Sequence, residues 1–413
     1  MPRNRTTLSI STTAKALTSG VDPIEGLGNE YLFTHGVSEG VLSFSVGDSI
    51  QYLFTDVSTG YQTQIGAGYA TGKVPNFCFT YHNKVYVLAG DTMLCSAVNG
   101  PMVFNDINGL GNGNVTLSNW YSASETLTAI GVYQGRFVIF SRNTAQVWSV
   151  NQDLSQWQIG QVIQNTGTIA PATVQGLGEI DLLYLHDAGI RSLRSREALL
   201  NSVVTNIGSP IDSLVQGLLS GLTDAEKATA CGIIEPKTGQ YWCYVPKHND
   251  VGYIYVLSYY PTNQIVAWSR FIPSDNNGDT FVPKKFVVYK GQVYVTDGSN
   301  YYAYGGSTGI VYDTTIATLI LPFYDQKDAV TKKQALGIDC DLTGTWQIYA
   351  SPQWISASYV NIGQATSATF DNGNVPYRDR GTHYSIKLTS AATAAAAKIT
   401  TVTLEYNSAE KPA

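Results

Sequence analysis

Charge is scarce in this sequence. Of 413 residues only 14% are Asp, Glu, Lys or Arg, and the balance is negative, at −6. A protein that grips nucleic-acid phosphates along a broad surface needs the opposite sign, so that class is disfavoured, whereas an acidic lining past which DNA slides is allowed. Cysteine is sparse as well. Cys78, Cys95, Cys231, Cys243 and Cys340 are odd in number and never spaced Cys-x-x-Cys, which argues against a disulfide framework and against a zinc site. They read as buried, reduced thiols. Long apolar runs are missing too. No stretch approaches the ~18 residues of a membrane-spanning helix, so no membrane insertion is expected. The residues after Met1-Pro2-Arg3-Asn4-Arg5 are polar where a secretory signal needs an apolar segment.

Glycine and tyrosine are abundant, at 39 and 27 residues, a balance that favours turns and pleated surfaces over amphipathic helices. The class expected is all-β. The length is beyond what one hydrophobic core comfortably serves, so two domains, or a propeller with an appended domain, are expected.

From Val37 onward a unit recurs in which a polar turn precedes a short apolar strand. It reads EGVLSFSVGD from Glu39, NKVYVLAGD from Asn83, GRFVIFSRN from Gly135, EIDLLYLHDAG from Glu179, GQYWCYVPK from Gly239 and GQVYVTDG from Gly291. Steps of about 44 to 60 residues, each with room for about four strands, are the mark of propeller blades. Within one unit Tyr241–Val245, Tyr253–Tyr259 and Ile265–Trp268 are separated by Pro, Asn and Asp turns, which predicts an antiparallel meander. The longest step holds a helix signal, Ser209 as N-cap and Pro210 at the first position before an apolar run. A second helix starts at Thr223, with Asp224 and Glu226 in its first turn. Insertions on propellers sit on one face, so this pair is expected to project. The predicted organisation is an N-terminal arm over 1–36, a β-propeller over 37–308 with a short helical insertion at about 209–231, and a β-sandwich-like module over 309–413.

Motifs for chemistry mostly fail their context. Gly305-Gly306-Ser307-Thr308-Gly309 has the nucleophile-elbow pattern, but strand rather than helix is predicted after it. Asp275, Asn277 and Asp279 imitate a calcium loop without its glycine or its final glutamate. Gly66-Ala67-Gly68 with Gly72 runs into Pro75 rather than a helix. His186 and Asp187 are neighbours that point apart on a strand, and the tryptophans, at strand spacing, read as core before they read as sugar-stacking surface. No catalytic, metal or cofactor-binding residue is assigned. The one charged group that stands out is Arg191, Arg194 and Arg196 in GIRSLRSRE, a candidate contact for carboxylates or phosphates of a partner.

Six segments carry a resemblance: Gln146-Val147-Trp148, Asn165-Thr166-Gly167-Thr168, Gly189-Ile190-Arg191-Ser192-Leu193, Ile207-Gly208-Ser209-Pro210-Ile211-Asp212, Thr238-Gly239-Gln240-Tyr241-Trp242 and Ala267-Trp268-Ser269. In this order, over roughly residues 130 to 270, the chain resembles the tail nozzle, or packaged-DNA stabilisation, proteins of short-tailed double-stranded DNA phages. The resemblance implies a structural virion protein, not an enzyme, made in the host cytoplasm. It would form a hexameric ring that meets adaptor or portal-side proteins and tail fibre or needle proteins. Genomic DNA would pass through its channel without sequence-specific binding. No catalytic residue comes with it. The alternative is a carbohydrate-binding or carbohydrate-active propeller, with paired carboxylates in a cleft at one mouth. A docking propeller of WD40 or kelch type is disfavoured by the absence of its signatures.

Overall fold

The computed structural model describes the backbone of strand segments 31–35, 38–44, 52–56, 62–65 and 113–116. It also describes residues 75–99, 125–178, 181–194, 207–260, 265–275, 277–306, 312, 314–352, 358–370, 373–393 and 395–408. The arm predicted over residues 1–36 lies outside them but for 31–35.

The chain is all-β: a β-propeller with a short helical insertion, followed by a β-sandwich-like module. Six sheets follow one another, each a run of strands in chain order. The first holds β1 (Tyr31–His35), β2 (Ser38–Phe44), β3 (Tyr52–Asp56) and β4 (Gln62–Ile65). The second holds β5 (Pro75–Tyr81), β6 (Lys84–Ala89), β7 (Thr92–Cys95) and β8 (Gly113–Thr116). The third holds β9 (Leu127–Tyr133), β10 (Arg136–Ser141), β11 (Thr144–Ser149) and β12 (Gln158–Gln164). The fourth has, among the described residues, β13 (Gln175–Leu177), β14 (Asp181–His186) and β15 (Gly189–Ser192). The fifth holds β16 (Cys231–Ile234), β17 (Tyr241–Lys247), β18 (Asp250–Tyr260) and β19 (Ile265–Phe271), and the sixth β20 (Lys285–Tyr289), β21 (Gln292–Thr296) and β22 (Tyr301–Ala303).

Each recurring sequence unit is the second strand of its sheet, β2, β6, β10, β14, β17 and β21. The turn before it has a physical signature in three of them. His82-Asn83, Gln134-Gly135 and Lys290-Gly291 all have positive φ, the two-residue hairpin turn whose twist matches that of the flanking strands. Tyr81, Tyr133 and Tyr289 close these hairpins opposite Lys84, Arg136 and Gln292.

The second, third, fourth and fifth sheets bury both faces of their second strand. In β10, Phe137 and Ile139 join Tyr86, Leu88 and Met93 of the second sheet, while Val138 and Phe140 join Leu182 and Tyr184 of the fourth. The next alternation continues the stack, with Leu183 and Leu185 meeting Tyr241, Cys243 and Val245 of the fifth sheet. A strand covered on both sides needs apolar residues at every position, which is why these strands read as continuous runs.

The insertion comprises α1 (Asp212–Leu219) and α2 (Asp224–Lys227). α2 begins as predicted, with a reciprocal capping box between Thr223 and Glu226. α1 does not: Ser209–Ile211 form a 3-10 turn and no side chain caps the helix. Nor does α1 simply project. Val215 and Leu219 are packed into the cluster between the fourth and fifth sheets, because an apolar stripe on a helix is buried where a neighbouring surface offers cover.

By compactness the chain divides into Met1–Pro273 with Val282–Tyr301, and Ser274–Phe281 with Tyr302–Ala413. The division falls at Tyr301/Tyr302, where the sequence suggests 308, and the second unit takes in Ser274–Phe281. Within that unit Phe281 stacks on Tyr302 at 4.0 Å and Ser274 Oγ meets Thr315 Oγ1 at 2.9 Å. The unit contains β23 (Thr318–Ile320), β24 (Lys333–Thr343), β25 (Trp346–Ser351), β26 (Val360–Ala365), β27 (Val375–Pro376), β28 (Arg380–Gly381), β29 (Ser385–Ser390) and β30 (Lys398–Ser408). One sheet runs β23-β29-β25-β26; in the other, β24 pairs with β27 and β28 along one side and β30 along the other. Ile338, Cys340 and Leu342 meet Trp346, Ile348, Ile386 and Leu388 between them. The described part of the alanine run from Ala391 to Ala397 is a connection, not a helix.

Candidate functional site

Three of the segments singled out by their motifs come together around the insertion. Gly189 and Gly208 make the approach possible: a Cβ on Gly189 would meet Asp212 Oδ1 at 2.2 Å, and one on Gly208 would meet the Ile190 carbonyl oxygen at 2.1 Å. Arg191 Nη1 then donates to Asp212 Oδ1 at 2.6 Å and to the Ile190 carbonyl at 3.0 Å, while Nη2 donates to the Ala188 carbonyl. Trp268 Nε1 reaches across from the fifth sheet to the Ile207 carbonyl at 2.8 Å. Gln146 and Gln240 each accept from the indole two residues on, Trp148 at 3.0 Å and Trp242 at 3.2 Å. Gly167 lies where a Cβ would strike the Ser141 and Arg142 carbonyls, at 2.3 and 2.4 Å.

This corrects the reading of the three arginines as one partner-facing group. Arg191 is 4% exposed, and its guanidinium is engaged inside the chain because strand alternation turns it toward α1. Arg194 is exposed. Arg196 lies outside the described residues. What brings Asp212 to Arg191 is the close approach of two glycine positions far apart in sequence, a signal no local pattern contains.

Beside the clamp lies a charged network that sequence reasoning did not find. Arg142, in the turn after β10, reaches Asp187 at 3.4 Å and donates to both oxygens of Asp224. Lys227 Nζ donates to Asp187 at 2.9 Å, and His248 Nδ1 lies 3.1 Å from Glu226. The third, fourth and fifth sheets are thereby tied to α2 at their turns. Burial pushes the Asp187 carboxyl up, but the hydrogen bond and charge of Lys227, with Arg142, outweigh it and hold the carboxyl below its ordinary value. Asp181 behaves oppositely. At 8% exposure, desolvation raises its pKa despite hydrogen bonds from Ser192 Oγ and from the N–H groups of Arg194 and Leu182.

The remaining candidates resolve locally. His186 Nδ1 accepts from the Ala188 N–H at 3.0 Å, so it is a turn residue. Asp275 Oδ1 accepts from the N–H groups of Asn277 and Asp279, both at 2.9 Å, which is a surface turn. Ser307, Thr308 and Gly309, like Gly66, Ala67, Gly68 and Gly72, lie outside the described residues. Trp148, Trp242 and Trp346 are at most 4% exposed and belong to the core; Trp120 and Trp354 lie outside. All five cysteines are buried and none is in a disulfide, and desolvation pushes the Cys243 thiol up to about 12 and the Cys340 thiol up to about 11.

No family model matches the chain, and no curated protein matches it. Solved structures do. A proposed 6-phosphogluconolactonase from Bacteroides fragilis is 6% identical over 64% of this chain and 75% of its own, with a TM-score of 0.40. One from Bacteroides uniformis is 9% identical over 84% and 85%, with a TM-score of 0.38. The exo-β-1,3-galactanase of Phanerochaete chrysosporium with galactose is 9% identical over 91% and 95%, with a TM-score of 0.29. The expectation that the chain is not an enzyme is therefore withdrawn, since these similar structures are described as enzymes. At such TM-scores none of their activities is carried over.

Proposed function

We propose that this chain is a structural virion protein, a subunit of the nozzle ring in the tail of a short-tailed phage. The ring extends the channel through which genomic DNA is retained and then ejected. What supports the reading is the place of the resembling segments. GIRSL and IGSPID, separate in sequence, meet through Arg191 and Asp212, and the Trp268 of AWS closes on the same clamp. Three of the six resembling segments thus meet in one piece of architecture. The network of Arg142, Asp187, Asp224 and Lys227 joins the turns of the third and fourth sheets to α2 beside this clamp. Sparse charge with net negative sign suits a lining past which DNA moves without sticking.

Native mass measurement of the full chain tests this. The expected result is a closed assembly of about six copies. A monomer that releases sugars from a polysaccharide would overturn it in favour of the second reading, a carbohydrate-binding or carbohydrate-active propeller. That reading draws on the exposed tyrosines Tyr301, Tyr304 and Tyr324, at 76%, 55% and 52%, which offer rings on which sugars could stack.

A further inference from the structure

β30 is an edge strand of unusual openness. Its eleven residues pair on one side with β24, and among the described residues no strand pairs with its other side. Natural proteins blunt such edges by shortness, proline, lysine or bulges. β30 has no proline, and its only charges are Lys398 at the end and Glu405. The two register shifts against β24 flank the centre and leave Thr401–Glu405 regularly paired with Gly337–Asp341.

The two faces of this edge differ. Toward the sandwich core lie Ile399, Val402 and Leu404, packed against the core cluster yet only half-buried. On the other face Thr401, Thr403 and Glu405 are exposed, in line with Asp341, Asp339 and Gly337 of β24. A strand that completed the edge would carry apolar residues on one face and polar, preferably basic, residues on the other. The segment from Arg3 to Thr13 has that pattern. Arg3, Arg5, Thr7, Ser9, Ser11 and Thr13 alternate with Asn4, Thr6, Leu8, Ile10 and Thr12, so an extended backbone places both arginines on the polar face and Leu8 with Ile10 on the other.

We propose that Arg3–Thr13 of a neighbouring copy adds to β30 as a further strand. Leu8 and Ile10 lie beside Val402 and Leu404, and Arg3 and Arg5 join the face that carries Asp339, Asp341 and Glu405. The inference rests on the ring reading, because a ring needs head-to-tail contacts in which donor and acceptor surfaces differ. β30 pairing with another β30 would instead close a two-fold dimer.

The test pairs Thr403→Cys with Thr7→Cys, Ser9→Cys or Ser11→Cys in the full chain. Facing side chains on adjacent strands have Cβ atoms about 5 Å apart, close enough for a disulfide after small adjustment, and the five native cysteines are buried and do not compete. Under mild oxidation at least one pair is expected to give a ladder of covalent multimers, with none from any single variant. Product of monomer size only, or no product from all three pairs, overturns the proposal. Leu8→Asp with Ile10→Asp is expected to lower the assembled fraction by about tenfold or more with unchanged circular dichroism, since a charge in that contact is costly. Undiminished assembly overturns it as well. A ladder that stops at two copies leaves strand donation standing and removes the ring; an intact ring without cross-links does the reverse.

Discussion

The two units of the molecule bury their strands by different rules. In the propeller, Phe137–Ser141 of β10, Asp181–Leu185 of β14 and Tyr241–Pro246 of β17 are buried without a break. In the C-terminal unit, β25 begins buried, half-buried, buried, half-buried, and β24 alternates along most of its length. A blade between two others has a neighbour on each face, unlike the sixth sheet, whose β20 is buried only at Phe286; a sandwich sheet has one inner and one outer face. Successive residues of a blade strand therefore serve two interfaces, whereas successive residues of a sandwich strand serve one interface and water.

The sharpest way to break that comparison is to truncate residues of both parities. Phe137→Ala empties the interface toward the second sheet and Phe140→Ala that toward the fourth. Each is expected to cost about 3–5 kcal/mol in urea denaturation. In β25 the effect is expected to alternate. Ile348→Ala, fully buried, loses about 2–5 kcal/mol, while Gln347→Ala, whose amide meets Gln364 at the surface, stays within about 0.5 kcal/mol. A Phe140→Ala variant as stable as the parent would contradict a two-faced blade.

Much of the fold was legible because its devices are local. A polar turn followed by an apolar run marks the second strand of each of the six propeller sheets, and Tyr81-His82-Asn83-Lys84, Tyr133-Gln134-Gly135-Arg136 and Tyr289-Lys290-Gly291-Gln292 spell one hairpin three times. The capping box at Thr223 and Glu226 is equally local. What the sequence hid depends on contacts between distant segments. Arg191 sits in a cluster of arginines that suggests a contact for a partner, and only the approach of Gly189 to Asp212 shows that it is enclosed. The same contact turns the Asp212 carboxylate toward Arg191. The allocation of Ser274–Phe281 to the second unit likewise rests on Tyr302 and Thr315.

Cations are enclosed in both units, and Arg191 of the first and Lys333 of the second are held differently. Arg191 pairs with a carboxylate; Lys333, 3% exposed, donates among the described residues to the carbonyls of Asp328, Thr331 and Thr382. Arg191→Met strands a partly buried charge and is expected to cost about 3 kcal/mol. Lys333→Met strands neutral acceptors and should cost about 1–3 kcal/mol. Adding Asp212→Asn to Arg191→Met should recover part of the loss, measured as a rise in thermal midpoint. No recovery would mean that the guanidinium acts mainly through the Ala188 and Ile190 carbonyls.

The smallest effects are the most diagnostic, because two aspartates respond to acid with opposite sign. Desolvation raises the pKa of Asp181 from 3.8, so the folded chain holds that proton more tightly than the unfolded one. Its contribution is most favourable below 3.8 and declines as pH rises through the raised folded value. In the second unit, hydrogen bonds from Thr331 and from the Val330 N–H lower Asp328 to about 2. Its contribution is present above 3.8 and is lost as pH falls through about 2. Thermal midpoints taken from pH 2 to 6 should show Asp181→Asn gaining on the parent as pH rises, while retaining the N–H contacts at one side-chain oxygen. Asp328→Asn should fall behind the parent over the same range. Slopes of the same sign for both variants would show that burial in the blade does not outweigh the hydrogen bonds of Ser192, Arg194 and Leu182.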